Sequence, residues 1–115
     1  MRIELEKRDP LENSELIKDM STDQDEIELY PGGVSIDYRP DEIYESVATP
    51  ETLALIVSFT GQAISGLGIN LFSSWLWDKL TKHKVRKIEI EGLDVHLNDK
   101  GEFQHILADK ITIKM

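Results

Sequence analysis

The chain has 115 residues, of which 40% are hydrophobic and 30% charged, with a formal net charge of −9 and no cysteine. These values are typical of a folded chain with one modest core, and they predict a single domain over residues 1–115. The missing cysteine excludes disulfides, thiol nucleophiles and cysteine-ligated metal sites. The first residues are charged throughout and form no apolar stretch, so we expect no secretory signal and a cytoplasmic location.

The negative charge lies in one half of the sequence. Residues 1–52 carry 5 Lys/Arg and 15 Asp/Glu, whereas residues 53–115 carry 8 and 7. A chain this acidic repels phosphate backbones, so we expect no direct binding to nucleic acid. The acidic half is then a solvated face that maintains solubility, a surface complementary to a basic protein, or an acidic metal site.

The N-terminal residues predict a strand and then a helix. Residues 2–6 alternate apolar and charged side chains, as a half-buried strand does. Asp9-Pro10 is a typical helix start, with a capping side chain followed by proline in the first turn. Apolar residues then predict a short helix that ends near Met20, and Ser21 to Asp25 is a predicted polar linker.

A β-hairpin is predicted next. Residues 26–30 and 34–38 both alternate apolar and polar side chains, and Pro31-Gly32-Gly33 between them is a strong turn signal. Pro40 ends the second strand, because proline cannot donate a hydrogen bond to a neighbouring strand. Residues 41–48 form a connector.

An uncharged stretch from Thr52 to Trp77 follows a strong helix-start signal, Thr49-Pro50-Glu51. We expect a helical segment that continues to Lys82. A straight helix of about 33 residues would be near 50 Å long, longer than the expected diameter of the domain. The sequence therefore predicts two helices with a break near Gly66-Leu67-Gly68, or one long helix partly covered by a partner subunit.

The same stretch raises a membrane alternative. It is long enough to cross a bilayer, with Trp75 and Trp77 near one end and several basic residues after them. Gln62 and Asn70 in its middle make insertion expensive. The predicted strands also need a helix to cover their apolar faces, which favours a soluble core helix.

Small residues recur along the predicted helix at spacings of four and three. On a helix they form one narrow seam where another backbone can approach closely. We expect this seam to pack on the sheet or on a second copy of the chain; its members are Ala54, Ser58, Gly61, Ser65 and Gly68.

The C-terminal part predicts a second hairpin and a short helix. Residues 85–97 alternate with a change of phase at Glu91-Gly92, which predicts a two-residue hairpin turn there, with a glycine bulge as the alternative. A helix is predicted over residues 99–108, with a strand as the competing interpretation, and residues 111–113 predict a terminal strand. The predicted fold class is α+β: a mostly antiparallel sheet packed against a long, broken apolar helix, plus short helices.

No pattern indicates catalysis, a metal or a cofactor. His83, His96 and His105 have no ligand spacing, and we expect them at the surface. Residues 23–26 resemble a calcium loop only faintly, because its required glycine and terminal glutamate are missing. Gly66 to Gly68 lacks the further residues of a nucleotide-binding turn. We therefore expect a protein that is not an enzyme and holds no cofactor.

Three features resemble a known family. These are the leading strand RIELEK, the run LALIVSFTGQAISGLGINLFSSWL with small residues at its centre and Trp75-Leu76 near its end, and the strand pair VRKIEIEGLDVHL. Together they resemble the small bacterial accessory domains of conflict systems, of the effector-associated constant component type. The resemblance covers about half the chain and carries over no functional residues. It implies an α+β adaptor that helps a partner effector to assemble.

The predicted function is that of a bacterial or phage protein-interaction module: an adaptor, immunity or inhibitor-type component of a defence system. We expect it to bind another protein, a basic one, through the acidic half and the hairpin of residues 27–38. The candidate contact residues are Asp23, Asp25, Glu26, Glu28 and Asp37. The alternative is a membrane-acting protein that inserts residues 52–77.

Overall fold

The computed structural model describes residues 1–26, 34–40, 52–59 and 66–114. In chain order these form β1 (Arg2–Leu5), α1 (Pro10–Glu26), β2 (Val34–Pro40), β3 (Leu53–Phe59), α2 (Gly66–Lys82), β4 (Lys87–Ile90), β5 (Leu93–His96) and α3 (Lys100–Lys114). Every strand pair is antiparallel. The predicted α+β class with an antiparallel sheet is therefore confirmed for the described part of the chain.

The strand order in the sheet is β2-β3-β1-β4-β5. The first part of the chain runs β1-α1-β2-β3-α2-β4, with β3 inserted between β1 and β2. This is the ferredoxin-like, or split βαβ, arrangement; β5 and α3 extend it at one edge. Because this arrangement supports many unrelated functions, the fold alone does not indicate what the protein does.

Alternation along each strand separates the two faces of the sheet. One face carries buried apolar side chains that pack with all three helices into one cluster. The strands contribute Ile3, Leu5, Leu53, Leu55, Val57, Ile88, Ile90 and Val95; the helices contribute Leu16, Met20, Ile69, Phe72, Leu76, Leu80, Phe103, Leu107 and Ile111. The register places mostly polar residues on the opposite face, including Arg2, Glu4, Ser35, Asp37, Arg39, Ser58, Lys87, Glu89, Asp94 and His96.

Helix α1 begins where the sequence predicts and ends later. Asp9 caps it, since its Oδ1 accepts a hydrogen bond from the Leu11 amide at 2.8 Å. The helix continues to Glu26, so the predicted end near Met20 and the linker over residues 21–25 are wrong. A helix can continue through polar residues when one of its sides is packed on the core. The hydroxyl of Thr22 donates a hydrogen bond to the Lys18 carbonyl at 2.8 Å, which is compatible with a helical backbone.

Strand β2 confirms the second strand of the first predicted hairpin, while most of the first predicted strand lies outside the described residues. Glu26 belongs to α1, and residues 27–30 lie outside the described residues. β2 pairs with β3, where Ile36 lies opposite Val57. This pairing with a distant strand is one that the local turn signal does not predict.

The first part of the uncharged stretch is a strand, so the predicted helix from Thr49 is wrong for residues 53–59. β3 lies between β1 and β2, and even Ala54, on the polar face, is buried. A short, near-continuous apolar run is compatible with a buried strand and with a buried helix, and the local pattern does not distinguish the two. The second part, α2, is helical from Gly66 and ends at Lys82 as predicted.

This division changes the predicted seam and the membrane alternative. Ala54 and Ser58 lie on a strand and Gly68 lies on α2, so these three do not form one helical stripe. Gly61 and Ser65 lie outside the described residues. In the four described ranges, no helix has both the length and the apolar character to cross a bilayer.

The second hairpin is confirmed with the predicted two-residue turn. Ile90 lies opposite Leu93, and Glu91 and Gly92 have φ angles of 51° and 86°. Two consecutive positive φ angles define the tight turn whose twist matches that of the flanking strands.

Helix α3 extends beyond its predicted end. The sequence placed a helix over residues 99–108 and a strand over 111–113, but α3 continues to Lys114. The strand prediction is wrong because Phe103, Leu107 and Ile111, spaced by four, are all buried against the core.

Candidate functional site

The densest group of charged side chains joins α1 to the end of α2. Asp19 Oδ1 lies 3.0 Å from Lys79 Nζ. Its Oδ2 lies 3.2 Å from Lys82 Nζ and 2.8 Å from His83 Nε2. Since a carboxylate only accepts hydrogen bonds, Nε2 of His83 carries a hydrogen. One carboxylate therefore holds three donors from the last turn of α2; we call Asp19, Lys79, Lys82 and His83 the Asp19 cluster.

Helix periodicity explains why the three donors meet one acceptor. Lys82 lies three residues and His83 four residues after Lys79, so all three lie on one side of the chain at the end of α2. Lysines in a last helical turn also interact favourably with the negative end of the helix. On α1, Asp19 lies between the buried Leu16 and Met20 in sequence, at the edge of the face that packs on the core.

The surroundings hold Asp19 in its ionised form. The hydrogen bond from His83, then that from Lys79, lowers the pKa of Asp19 far below its ordinary value of 3.8. The side chain of Lys79 is 10% exposed and that of Asp19 is 21% exposed, so this pair is mostly screened from water. A carboxylate whose pKa is lowered in this way is a poor proton acceptor, and the arrangement acts as an ion-pair link between two helices.

Arg8 completes this end of α2. Its Nη2 donates to the His83 carbonyl and lies 3.5 Å from Glu12 Oε2. The guanidinium thus satisfies a carbonyl left free at the end of a helix. Its Nη1 is buried and has no hydrogen-bond partner among the described residues.

A cleft of about 220 Å³ opens beside Arg8. Its lining mixes both signs of charge: Arg8, Glu12, Glu15, Lys82, His83 and Lys84. Balanced charges and the negative end of a helix do not favour an anionic ligand there. The cleft is therefore a weak candidate for small-molecule binding.

A row of carboxylates crosses the polar face of the sheet. The register places Glu4 opposite Glu89, and Glu89 opposite Asp94. A hydrogen bond with Asp94, followed by the charge of Asp94, raises the pKa of Glu89. Lys87 Nζ lies 3.3 Å from Asp94 Oδ2, and Arg2 bonds to Glu4 at 2.7 Å. Cations at both ends of the row offset most of its charge.

The predicted contact residues are Asp37 on β2 and four residues that precede β2 in the sequence. Asp37 is exposed on β2 and accepts a hydrogen bond from Arg39 Nε at 2.8 Å. Asp23, Asp25 and Glu26 belong to the last turns of α1, but their side chains, like Glu28, lie outside the described part of the chain. Among these five residues, the structure therefore describes the surroundings of Asp37 alone.

The histidines differ from one another more than the sequence predicts. His96 and His105 are exposed, as expected, and His105 Nε2 lies 3.4 Å from Asp109 one turn further along α3. His83 is mostly buried in the Asp19 cluster, and no spacing in the sequence indicates this. Within the ranges that the structure covers, no group of three or more His, Asp or Glu is placed to hold a metal ion.

Comparison of the chain with protein-family models, with curated proteins and with solved structures found no match.

Proposed function

We propose that this chain is a protein-interaction module that binds a basic surface of another protein through acidic residues around β2. The supporting observation is where the net charge lies. Residues 23–33 and 41–51, on either side of β2, carry four acidic residues each and no lysine or arginine. The rest of the chain carries 14 acidic and 13 basic residues, so nearly all of the net charge belongs to these two stretches.

We call these two stretches the acidic segments. Their carboxylates are Asp23, Asp25, Glu26 and Glu28 in the first, and Asp41, Glu42, Glu45 and Glu51 in the second. Between them, β2 is locally balanced, because Asp37 is paired with Arg39. The acidic segments have no such balance within their own sequence.

Like charges that are close together in the sequence repel one another, and this repulsion disfavours a compact chain. A basic partner removes this repulsion and is attracted from a distance, which favours fast and specific encounter. The described body is different, because its acidic and basic residues are nearly equal in number, and several of its carboxylates, such as Glu4, Asp19 and Asp94, form ion pairs with lysines or arginines. Partner binding therefore accounts for the acidic segments better than stability does.

The resemblance described above gives the kind of partner. An accessory domain of a conflict system works by contacting an effector, so we propose an adaptor, immunity or inhibitor role that involves no catalysis by this chain. The Asp19 cluster supports a structural rather than catalytic use of these charged residues, since the lowered pKa of Asp19 makes its carboxylate a poor proton acceptor.

Charge reversal tests the proposal directly. The wild-type chain and an Asp25→Lys/Glu28→Lys variant are used to capture proteins from cells that encode the chain, and each captured protein is then titrated in purified form. A matched variant, Glu102→Lys/Asp109→Lys, carries the same change of charge on α3. We expect one partner to bind the wild type and the α3 variant about tenfold or more tightly than the acidic-segment variant, at unchanged melting temperature. Equal binding by all three proteins would refute the proposal.

A further inference from the structure

Of the described strands, β2 and β5 lie at the two edges of the sheet, and they differ in how well their sequences protect them. β2 contains Arg39 and ends in Pro40, and a charged residue and a proline both disfavour pairing with a further strand. β5 has the sequence LDVH, with neither proline nor lysine. Leu93 is 45% exposed although it lies opposite the buried Ile90 on the apolar face.

The backbone of β5 presents hydrogen-bonding groups at its outer edge. The Leu97 amide donates to the Arg86 carbonyl beside β4 at 2.8 Å, so the backbone groups of Leu97 point towards β4. In an antiparallel pair such residues alternate with residues whose N–H and C=O groups point away from the neighbouring strand. The N–H and C=O groups of Asp94 and His96 therefore point away from β4, and both residues are exposed.

We infer that β5 pairs antiparallel with β5 of a second copy of this chain, about a two-fold axis at Val95, so that the two sheets become one. Asp94 of each copy then lies opposite His96 of the other, and each of these two pairs exchanges two N–H···O bonds between the backbones. The contact is closed and symmetric, because both copies use the same strand. The interface contains none of the acidic segments and is independent of the proposed function.

This register is complementary to itself on the polar face. Asp94 lies at the end of the carboxylate row, beside Glu89, and Lys87 Nζ lies 3.3 Å from its Oδ2. The imidazole of His96 can donate a hydrogen bond in either protonation state, so it offsets the repulsion between Asp94 and Glu89. Two other registers use the same backbone groups, and they are less favourable because they place Asp94 opposite Asp94 or His96 opposite His96.

The same register covers the exposed apolar residue at this edge. On the apolar face, Leu93 of each copy lies opposite Leu97 of the other, and Leu97 is itself half-buried at the margin of the core. Val95 lies opposite its own counterpart, which continues the apolar face from one sheet to the next. Because the contact is one strand pair wide, it belongs to the class of small interfaces, and we expect a dissociation constant of about 10–100 µM.

Sedimentation equilibrium of the full chain, from about 5 µM to about 500 µM, tests the interface. The wild-type average mass should rise from monomer to dimer over this range. Asp94→Lys removes the acceptor opposite His96, and His96→Asp places two carboxylates opposite each other, so each variant should raise the dissociation constant about tenfold or more. Asp78→Lys and Asn70→Asp make the same changes of charge at exposed positions on α2 and should leave association unchanged.

Mixing the variants identifies the register. Asp94→Lys and His96→Asp should associate with each other at least as tightly as the wild type, because the mixed dimer has opposite charges or a hydrogen-bonding pair at both positions. The chain has no cysteine, so Val95→Cys introduces a single thiol that should form a disulfide-linked dimer on mild oxidation. In this register Leu97 lies about 13 Å from its own counterpart, and Leu97→Cys should form none.

Four results would overturn the inference. They are a monomeric wild type at about 500 µM, equal weakening by the two α2 controls, no association on mixing, and a cross-link through Leu97→Cys in place of Val95→Cys. Thermal unfolding of each variant verifies that it is folded before its association is measured. Capture of a partner through the acidic segments is a separate measurement, so the proposed function and this interface can fail independently.

Discussion

Removing the charge of Asp19 should destabilise the protein substantially. Asp19→Asn keeps the size of the side chain but leaves Lys79, 10% exposed, without its counterion. Breaking a buried ion pair from one side costs about 3–5 kcal/mol. The full value does not apply, because Asp19 is itself partly exposed. The pair with Lys82 adds little to the loss, since Lys82 is 65% exposed and exposed ion pairs contribute about 0–1 kcal/mol. We therefore expect Asp19→Asn to lower the free energy of unfolding by about 2–3 kcal/mol.

Urea unfolding at pH 7 measures this effect as a lower midpoint with an unchanged slope. Lys79→Met supplies a control, because it removes the buried cation and keeps a long apolar side chain. The double variant should be less destabilised than the sum of the two single variants. A loss below about 0.5 kcal/mol for Asp19→Asn would contradict this reasoning, because it would place the cluster among ordinary surface ion pairs.

The pH dependence of the same pair follows from the lowered pKa of Asp19. The unfolded chain protonates this carboxyl near its ordinary value of 3.8, before the folded chain does. Its contribution is therefore fully present above that pH and is lost as the pH falls further. The difference in stability between wild type and Asp19→Asn should shrink as the pH falls below about 4.

Two further substitutions test the hairpin and the polar face. Gly92→Ala should lower the free energy of unfolding by about 1–2 kcal/mol, measured by thermal or urea unfolding, because the φ of 86° is unfavourable for alanine although the added methyl group would meet no atom within 4 Å. Gly101→Ala in α3, whose added methyl group would lie 3.4 Å from Asp99 Oδ1, should be neutral or stabilising. Equal losses for the two variants would contradict the explanation by backbone conformation. Glu89→Gln should raise the melting temperature at pH 7, since the raised pKa of Glu89 shows that its charged form is disfavoured. The wild type becomes more stable as the pH falls through that pKa and Glu89 is protonated, so the difference in melting temperature between Glu89→Gln and the wild type should vanish in acid. It should also vanish when Asp94→Asn removes the neighbouring charge.

Local signals in the sequence predicted the elements whose boundaries they control. Asp9-Pro10 correctly placed the start of α1, and Glu91-Gly92 correctly placed the turn of the second hairpin, because caps and tight turns are determined by a few adjacent residues. The alternation of residues 34–38 likewise predicted β2. Element ends without such a signal, as in α1 and α3, were placed too early.

Features that depend on distant partners were not predictable in this way. Residues 53–59 form a strand because they pair with both β1 and β2. Taken alone, the same apolar sequence is equally compatible with a helix. The Asp19 cluster joins residues 64 positions apart in the chain, Asp19 and His83. No spacing rule covers a contact that exists only after α1 and α2 pack. The proposed acidic surface, in contrast, depends on composition and was visible from the sequence.

The position of β1 has a consequence for how the chain reaches its native state. Ile3 lies opposite Leu55 on one side and Ile90 on the other, so β1 is synthesised well before both of the strands that pair with it. Contacts of such sequence separation slow folding, because a long loop must close before they form. Until about residue 90 has been synthesised, the edge of β1 that pairs with β4 is open. An open edge can pair with the wrong strand unless the chain folds quickly or a chaperone binds it.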